Sequence, residues 1–364
     1  MTSKLTATLV FILLAAQLAL PPATASAEGA APTDTETQEL VQKGLTIFEI
    51  DKEVARLNDQ DAAIGEQIKQ NESNIDKQKG QVDSTRKHAG KILRAYYTGE
   101  RDSIWMMFFS VRSFTDALRM FEYWQMIVRN DHHALDTYTD SVKKLTSLQD
   151  DLTKSRTKLQ ETKANYLTQR ERLVKLQEEL DRQLAASAQA EAIASQIKSL
   201  NDDWKEKGVP VVREYLDSLS QAFRELPQFL AKDSKYMDLS NPKNLLIQMG
   251  DTDFNNYLYG KSDLLKHLSF TFEEGYITAK GKKDDVDIAI EGQFTLVQQP
   301  DMNEVRFTVN KLQFNGYQLP DTTIADFSKD FQLGFIPKKF ISQLDVTQVE
   351  MRKGLIVVKL KLSL

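Results

Sequence analysis

The chain has 364 residues, of which 41% are hydrophobic and 27% are charged, and its formal net charge is -5. This length allows two or three domains, and a mildly acidic chain has no general reason to bind nucleic acid. The sequence contains no cysteine, which excludes disulfides, thiolate metal sites and a cysteine nucleophile together.

Residues 1–27 have the pattern of a secretory signal peptide. Lys4 supplies a positive charge, residues 9–20 contain an apolar run, and residues 25–27 (Ala-Ser-Ala) fit the small-residue rule for cleavage. The apolar run is shorter than the roughly 20 residues of a membrane-spanning helix, which disfavours the alternative of an uncleaved anchor. We therefore expect an exported, extracytoplasmic protein that is secreted or associated with the cell envelope and begins with a flexible leader at residues 28–39.

Residues from about 40 to 97 form the first arm of a predicted coiled-coil hairpin. Apolar residues recur there at spacings of three and four, the pattern of a helix that buries one stripe against another helix. This stripe contains Leu57, Ile64, Ile68, Ile75, Val82, Ala89, Ile92 and Tyr96, with Asn71, Gln78 and Thr85 on the same seam. Polar seam residues help to fix the register but weaken the pairing, so we expect this arm to bend or open more easily.

The second arm carries the most regular pattern in the chain. Tyr138, Leu145, Leu152, Leu159, Tyr166, Leu173 and Leu180 recur at every seventh position, with no glycine or proline between them. An apolar seam of this period has to pair with another helix to leave water. Because the two arms span roughly 85 and 95 Å at 1.5 Å per residue, we predict an antiparallel hairpin over residues 40–205. Pairing between two chains in a homodimer is the alternative.

The link between the arms, residues 98–131, is rich in aromatic residues and methionine. Ser113 or Thr115 can cap a short helix within it. A thin rod has little core in which to bury such a cluster, and exposed methionine-rich apolar surfaces usually bind a partner. A small local core folded on the arms is the other interpretation. The predicted partner-binding residues of this tip are Trp105, Met106, Phe108, Phe109, Phe114, Leu118, Phe121 and Trp124.

Three short segments around the link resemble a known family. They are residues 93–99 (Leu-Arg-Ala-Tyr-Tyr-Thr-Gly), residues 113–118 (Ser-Phe-Thr-Asp-Ala-Leu), and Ile127 and Val128 with Asp131. With the heptads, they make residues 40–190 similar to the coiled-coil domain of PcsB-type peptidoglycan hydrolases and their regulators. The resemblance implies a bent helical hairpin outside the cell membrane. It also implies partners: a cell-wall hydrolase that the hairpin restrains or couples to the FtsE–FtsX divisome transporter, whose membrane protein is FtsX.

The sequence departs from that family after the coil, where the family carries a hydrolase domain of the cysteine–histidine or zinc-endopeptidase-like type. The first type needs a cysteine. His132 and Asp136 match half of the spacing of a lysostaphin-type zinc endopeptidase, but no His-x-His exists, and the adjacent His132 and His133 point about 100° apart on a helix. Nothing singles out a carboxylate pair for glycosidase chemistry. We predict no catalytic residues, cofactor or metal, with an unrecognised hydrolase as the rival hypothesis.

Residues 206–235 are predicted to form an amphipathic connecting helix. Pro210 suits the first turn of this helix, an apolar stripe follows at helical spacing, and we expect Pro227 to end it. The stripe either packs on the C-terminal domain or makes the helix a lever or a restraining element.

Residues 236–364 predict a smaller α+β domain around a meandering antiparallel sheet. Gly275 and Gly354 stand where hairpin turns need a positive φ, and residues 254–258 and 324–331 are typical of short helices. Alternating patterns that predict strands occur at residues 269–279, which include the turn at Gly275, and at residues 286–296, 305–314, 346–351 and 355–362. The outline, with Leu319-Pro320 after a long strand, resembles AsmA-like and YpmS-like exported lipid-associated domains. This resemblance implies a groove for an acyl chain, and an ordinary closed core is the alternative.

These patterns lead to one functional expectation and one rival. The expected protein is an exported, non-enzymatic coiled-coil adaptor or regulator of peptidoglycan hydrolysis, which binds a cell-wall hydrolase or an FtsX-like membrane protein through its tip. The rival is a lipid-binding or scaffold protein of the envelope that uses the C-terminal sheet domain, with the coil as a spacer. In both hypotheses the C-terminal domain binds a further ligand, either lipid or cell wall.

Overall fold

The structure is a computed structural model and describes residues 34–100, 106, 110–111, 113–232, 234–238, 245–298, 302–339 and 344–362. The α-helices are α1 Asp34–Tyr97, α2 Phe114–Ala186, α3 Ala190–Asp203, α4 Val209–Lys232, α5 Asp251–Tyr259 and α6 Asp321–Asp330. A π-helical turn spans Trp204–Gly208, and 3₁₀ turns span Ser234–Tyr236, Leu264–His267 and Pro337–Lys339. The predicted signal peptide lies outside the described residues.

The strands belong to two antiparallel sheets. They are β1 Met237–Asp238, β2 Leu245–Gly250, β3 Leu268–Phe272, β4 Ile277–Lys283, β5 Val286–Val297, β6 Glu304–Phe314, β7 Tyr317–Gln318, β8 Gly334–Phe335, β9 Leu344–Arg352 and β10 Leu355–Leu362. One sheet has the order β1-β2-β10-β9, and the other has the order β3-β4-β5-β6-β7, with β8 also paired to β6. The predicted fold class, a helical hairpin followed by a smaller antiparallel-sheet domain, is therefore confirmed.

The two arms of the hairpin, α1 and α2, pair antiparallel within one chain. Arg156 of α2 lies 2.7 Å from Glu72 of α1, and the Gln78 side-chain amide donates to the carbonyl of Ser141 over 2.9 Å. The predicted seam of α1 faces the partner arm, and its buried apolar members are Leu57, Ile64, Ile75, Ala89 and Ile92. The 3–4 spacing thus identified the correct face of the first arm.

The heptad residues of α2 lie beside the seam between the arms, and most of the fully buried residues of α2 are polar. Between Asp131 and Leu180, small polar residues at Ser141, Ser155 and Thr162 are buried, while most of the heptad leucines are half-buried. The hydroxyl oxygens of Thr85 and Ser141 are 2.9 Å apart, next to the bond from Gln78. Such a buried polar layer is satisfied in only one alignment of the arms, so it fixes their register.

The helix that follows the hairpin turns back along α1. α2 ends at Ala186, where the heptad pattern fades into alanine, and α3 begins after a short turn at residues 187–189. α3 then lies so close to α1 that a Cβ atom added at Gly44 would stand 2.4 Å from Cγ2 of Ile197. Glycine at position 44 is therefore required by the close approach of these two helices.

A π-helical turn joins α3 to α4 without interrupting the helix. The buried positions Leu200, Trp204, Gly208 and Val212 are each four residues apart. An α-helix with 3.6 residues per turn would rotate such a stripe by about 40° at each step. The π-turn at Trp204–Gly208 absorbs an extra residue and keeps the stripe on one face.

The expectation that Pro227 ends the connecting helix is wrong, because α4 continues through it to Lys232. A proline inside a helix costs about 3 kcal/mol. Leu226 and Leu230 are both buried beside it, and burial of each leucine contributes roughly 1.5–3 kcal/mol. Tertiary packing on both sides of the proline thus offsets the lost hydrogen bond.

The C-terminal core is built around α4. The ring centroid of Phe223 in α4 lies 6.0 Å from the ring centroid of Phe254, 5.6 Å from that of Phe294 and 6.2 Å from that of Phe307. These four rings are buried and pack together beside the sheets. For this space the sequence had left two alternatives, a groove for an acyl chain and a closed core. The apolar face of the connecting helix is therefore packed on the C-terminal domain.

The two sheets are joined at their predicted hairpin turns. Gly275, with φ of +82°, donates its N–H to the carbonyl of Met351 over 3.1 Å, and Gly354, with φ of +73°, donates to the carbonyl of Phe272 over 2.9 Å. Each turn thus binds the other sheet, and a side chain at either position would strain the backbone.

A buried carboxyl group fastens the hairpin to the C-terminal domain. Glu49 of α1 is only 4% exposed; it accepts a 2.8 Å hydrogen bond from the indole N–H of Trp204 and a 2.6 Å bond from the hydroxyl of Thr323 in α6. The Trp204 ring in turn lies 5.2 Å from Phe314 and 6.3 Å from Phe327, between centroids. One side chain therefore joins α1, the π-turn and α6.

Polar contacts on either side strengthen this junction. The side-chain amide of Gln42 donates to the Gln318 carbonyl over 2.6 Å and accepts from its N–H over 2.7 Å, so it pairs with the end of β7 as a strand would. Arg172 of α2 donates to Asp321 over 2.6 Å, and this bond lowers the pKa of the Asp321 carboxyl group. Both arms thus rest on the sheet domain.

Replacement of Gly44 by alanine should destabilise the protein by about 1–3 kcal/mol, because the new methyl group overlaps the β-branched side chain of Ile197. Gly65→Ala is the matched control in the same helix, since nothing lies within 4 Å of its added Cβ, and it should stabilise by about 0.5–1 kcal/mol. Urea unfolding followed by circular dichroism measures both. Equal effects of the two substitutions would contradict the close packing of α1 on α3.

Replacement of Glu49 by leucine should cost about 2–5 kcal/mol, because the buried N–H of Trp204 and hydroxyl of Thr323 lose their acceptor. Glu72→Leu, which removes an exposed ion pair, should cost at most about 1 kcal/mol. The same unfolding experiment compares the two, and a Glu49 variant as stable as the Glu72 variant would show that the junction does not depend on this carboxyl group.

Candidate functional site at the hairpin tip

The far end of the hairpin carries most of the large apolar side chains that the structure leaves exposed. Nine of the twelve such residues found among the described residues lie there. We call this set the tip surface; it consists of Leu93, Tyr96, Tyr97, Met106, Phe114, Leu118, Phe121, Tyr123 and Met126. Phe114, Leu118 and Phe121, at spacings of four and three, lie on one face of α2, and exposed apolar patches mark interaction sites on soluble proteins.

Chain geometry accounts for this exposure. α1 ends at Tyr97, where the N–H of Thr98 bonds to the carbonyl of Arg94 over 2.8 Å and Gly99 adopts φ of +74°, a common helix terminator. α2 begins at Phe114. The tip lies roughly 70 Å from Glu49, at 1.5 Å for each of the residues between them in α1. At that distance, the described residues of the C-terminal domain do not cover it.

The structure exposes four of the eight predicted partner-binding residues strongly. They are Met106, Phe114, Leu118 and Phe121, and Phe114 is 80% exposed. Trp124 is half-buried and stacks on Phe121 with 5.8 Å between ring centroids. Trp105, Phe108 and Phe109 lie outside the described residues. The tip surface therefore includes one predicted residue between the two arms, Met106, and three at the start of α2.

The expectation of a separate short helix after Ser113 is wrong in one respect. Ser113 does occupy the N-cap position, with extended backbone at φ of -127°, but its side chain makes no capping hydrogen bond. The helix that begins at Phe114 runs without a break for 73 residues. The physical reason is that no glycine or proline interrupts this stretch, so the predicted short helix is the first part of the second arm.

Sequence reasoning missed several members of the tip surface, and a local signal for two of them was present. Tyr97 is 92% exposed, the highest value among the exposed large apolar residues, and Leu93 lies four residues before it. The seam of α1 passes through Ile92 and Tyr96, so Leu93 and Tyr97 each follow a seam position by one residue. A residue that follows a seam position by one points away from the other arm. Two apolar residues at such positions, one helical turn apart, therefore indicate an exposed apolar surface.

The end of α1 next to the link is positively charged. Residues 86–97 contain four lysine and arginine residues and no aspartate or glutamate, whereas the link, residues 98–131, contains four basic and five acidic residues. The tip surface thus has an excess of positive charge on its α1 side. Such a surface is complementary to an apolar patch with an acidic rim.

The two histidines considered as half of a zinc site lie on α2 below the tip, and both are exposed. The hydroxyl of Thr137 lies 3.5 Å from Nδ1 of His133. Among the residues that the structure describes, no three histidine, aspartate or glutamate side chains come together where they could hold a metal ion. In the same part of the chain, no helix combines the length and the apolar character needed to cross a membrane.

Comparison with models of known protein families finds no match to this chain, and a search of curated protein sequences finds none either.

Proposed function

We propose that this protein is an exported, non-enzymatic adaptor of the cell envelope that regulates peptidoglycan hydrolysis. Its hairpin tip docks a cell-wall hydrolase or an FtsX-like membrane protein. The observation that carries the proposal is the tip surface, because exposed aromatic and methionine side chains at the end of a 64-residue helix contribute nothing to the core.

The energetics of the tip surface favour binding. Each large apolar side chain that a partner covers completely contributes roughly 1.5–3 kcal/mol. Tyr97, Phe114 and Phe121 are aromatic, and aromatic residues are enriched among those that dominate binding energy. Several such residues together offset the translational and rotational entropy that association costs.

The residues that carry the family resemblance support the same role. Leu93, Tyr96 and Tyr97 come from the first resembling segment, and Phe114 and Leu118 come from the second. All five belong to the tip surface. The segments that carry the similarity to PcsB-type coiled coils thus contribute five of the nine residues of the tip surface.

The base of the hairpin provides the other half of an adaptor. Glu49, Gln42 and Arg172 hold both arms on the sheet domain, so a force or displacement at the tip reaches that domain through a continuous helical rod. This arrangement suits a protein that relays binding at one end to a ligand of lipid or cell-wall chemistry at the other.

A Phe114→Ser, Phe121→Ser double variant should lose at least tenfold in capture of its envelope partner. Both side chains are exposed, so helicity should persist. Stability should change by less than about 0.5 kcal/mol for Phe114→Ser and by about 0.5–1.5 kcal/mol for Phe121→Ser, which removes the stacking on Trp124. The measurement is a pull-down from detergent-solubilised envelopes of the native host, quantified by mass spectrometry. Leu167→Ser, at an exposed position on the shaft, is the control. Equal capture by wild type and tip variant would refute docking at this surface.

Purified protein alone should release no soluble muropeptides from isolated sacculi, because the proposed role is regulation of another enzyme. Lysozyme added to the same sacculi is the positive control. A hydrolase captured by the wild-type protein should change its rate of muropeptide release when the adaptor is added, and the tip variant should not reproduce that change. Fragments produced by the protein alone would identify it as a hydrolase.

A further inference from the structure

A second apolar surface lies at the opposite end of the hairpin. It is a groove between α2 and α3, which diverge from the turn at residues 187–189, and α1 forms its floor. The groove has a volume of about 690 Å³. Along α2 it extends from Leu173 to Leu184, about 16 Å at 1.5 Å per residue, which equals three turns of a helix. We call it the base groove.

Apolar side chains from three helices face this groove. They are Ile47 and Phe48 of α1, Leu173 and Val174 of α2, and Ile197 of α3. Val174 is 47% exposed. Ile47, Phe48 and Ile197 are only partly buried although they pack against the core, and Leu173 is partly buried as well. The heptad stripe does not require an apolar residue at position 174, since it lies one residue after Leu173. The helices therefore present apolar surface to an open space of helical length.

The charged side chains that line the base groove are all negative. Asp51, Glu178 and Asp181 line it, and no lysine or arginine is found among the described lining residues. An occupant should accordingly bring apolar side chains and positive charge.

We propose that the base groove binds an amphipathic helix of a partner protein, with an apolar stripe flanked by lysine or arginine. Such a helix would pack between α2 and α3 above α1 and complete a four-helix arrangement. Its stripe would cover Val174 and Ile197, and its cations would face Asp51, Glu178 and Asp181, the usual mode of helix-in-groove recognition. A second copy is a poorer complement because the chain is acidic overall. The site is separate from the tip surface and does not depend on its role.

The test uses a fluorescein-labelled 14-residue peptide of leucine and lysine, with the leucines at helical spacing, added to the purified protein. Fluorescence anisotropy should show binding, and a peptide with glutamate in place of lysine should bind at least tenfold more weakly. Val174→Lys should weaken binding of the lysine peptide at least tenfold. Leu167→Lys places the same charge at an exposed apolar residue one heptad earlier on α2, and should change binding less than twofold.

Further measurements distinguish binding at the base groove from binding at other sites. The Phe114→Ser, Phe121→Ser variant should bind the lysine peptide as the wild type does, so failure at the tip and failure at the groove give different results. Circular dichroism confirms that each variant is folded. Equal losses in the Val174 and Leu167 variants, equal binding of both peptides, or loss of binding in the tip variant would overturn the proposal. Self-association in sedimentation that Val174→Lys abolishes would overturn it too, by showing that a second copy fills the groove.

Discussion

The carboxyl group of Glu49 is the contact on which the arrangement of this molecule depends. It lies on the first helix and binds Trp204 of the π-turn and Thr323 of α6, which is 274 residues further along the chain. A buried carboxyl group is stable only when its oxygens are hydrogen-bonded. Its two partners therefore dictate where α1 stands on the sheet domain. From that point α1 continues to Tyr97, so the tip lies roughly 70 Å away at 1.5 Å per residue.

This anchoring divides the hairpin into three parts with different chemistry. The base shares the core of the sheet domain, from Leu40 and Leu45 to Leu360. The shaft is paired through a half-buried leucine stripe and a buried polar layer at Ser141, which favours one register over maximal stability. Among the described residues, the tip exposes aromatic side chains such as Phe114. Stability is thus concentrated at one end of the rod and apolar surface for binding at the other.

Local periodicity predicted the parts of the fold that depend on local patterns. Heptads and alternating runs identified the arms and the long strands, and aromatic composition identified the tip. The same reasoning could not find the junction, because nothing near Glu49 in sequence distinguishes it from a solvated acid on a helix. It also placed a helix end at Pro227, where packing of distant residues decides the outcome. The exposure of the tip could not be predicted from the sequence, because it depends on whether other parts of the folded chain lie over Phe114.

The most direct test of the account is site-specific photo-crosslinking in cells that naturally express the protein. A photoreactive phenylalanine analogue replaces Phe114 in one variant and Leu167 in another, and both positions are exposed, at 80% and 62%. The account predicts a discrete adduct with a cell-wall hydrolase or an envelope membrane protein from position 114 and none from position 167. The absence of any adduct at position 114, or the same adducts from both positions, would contradict it.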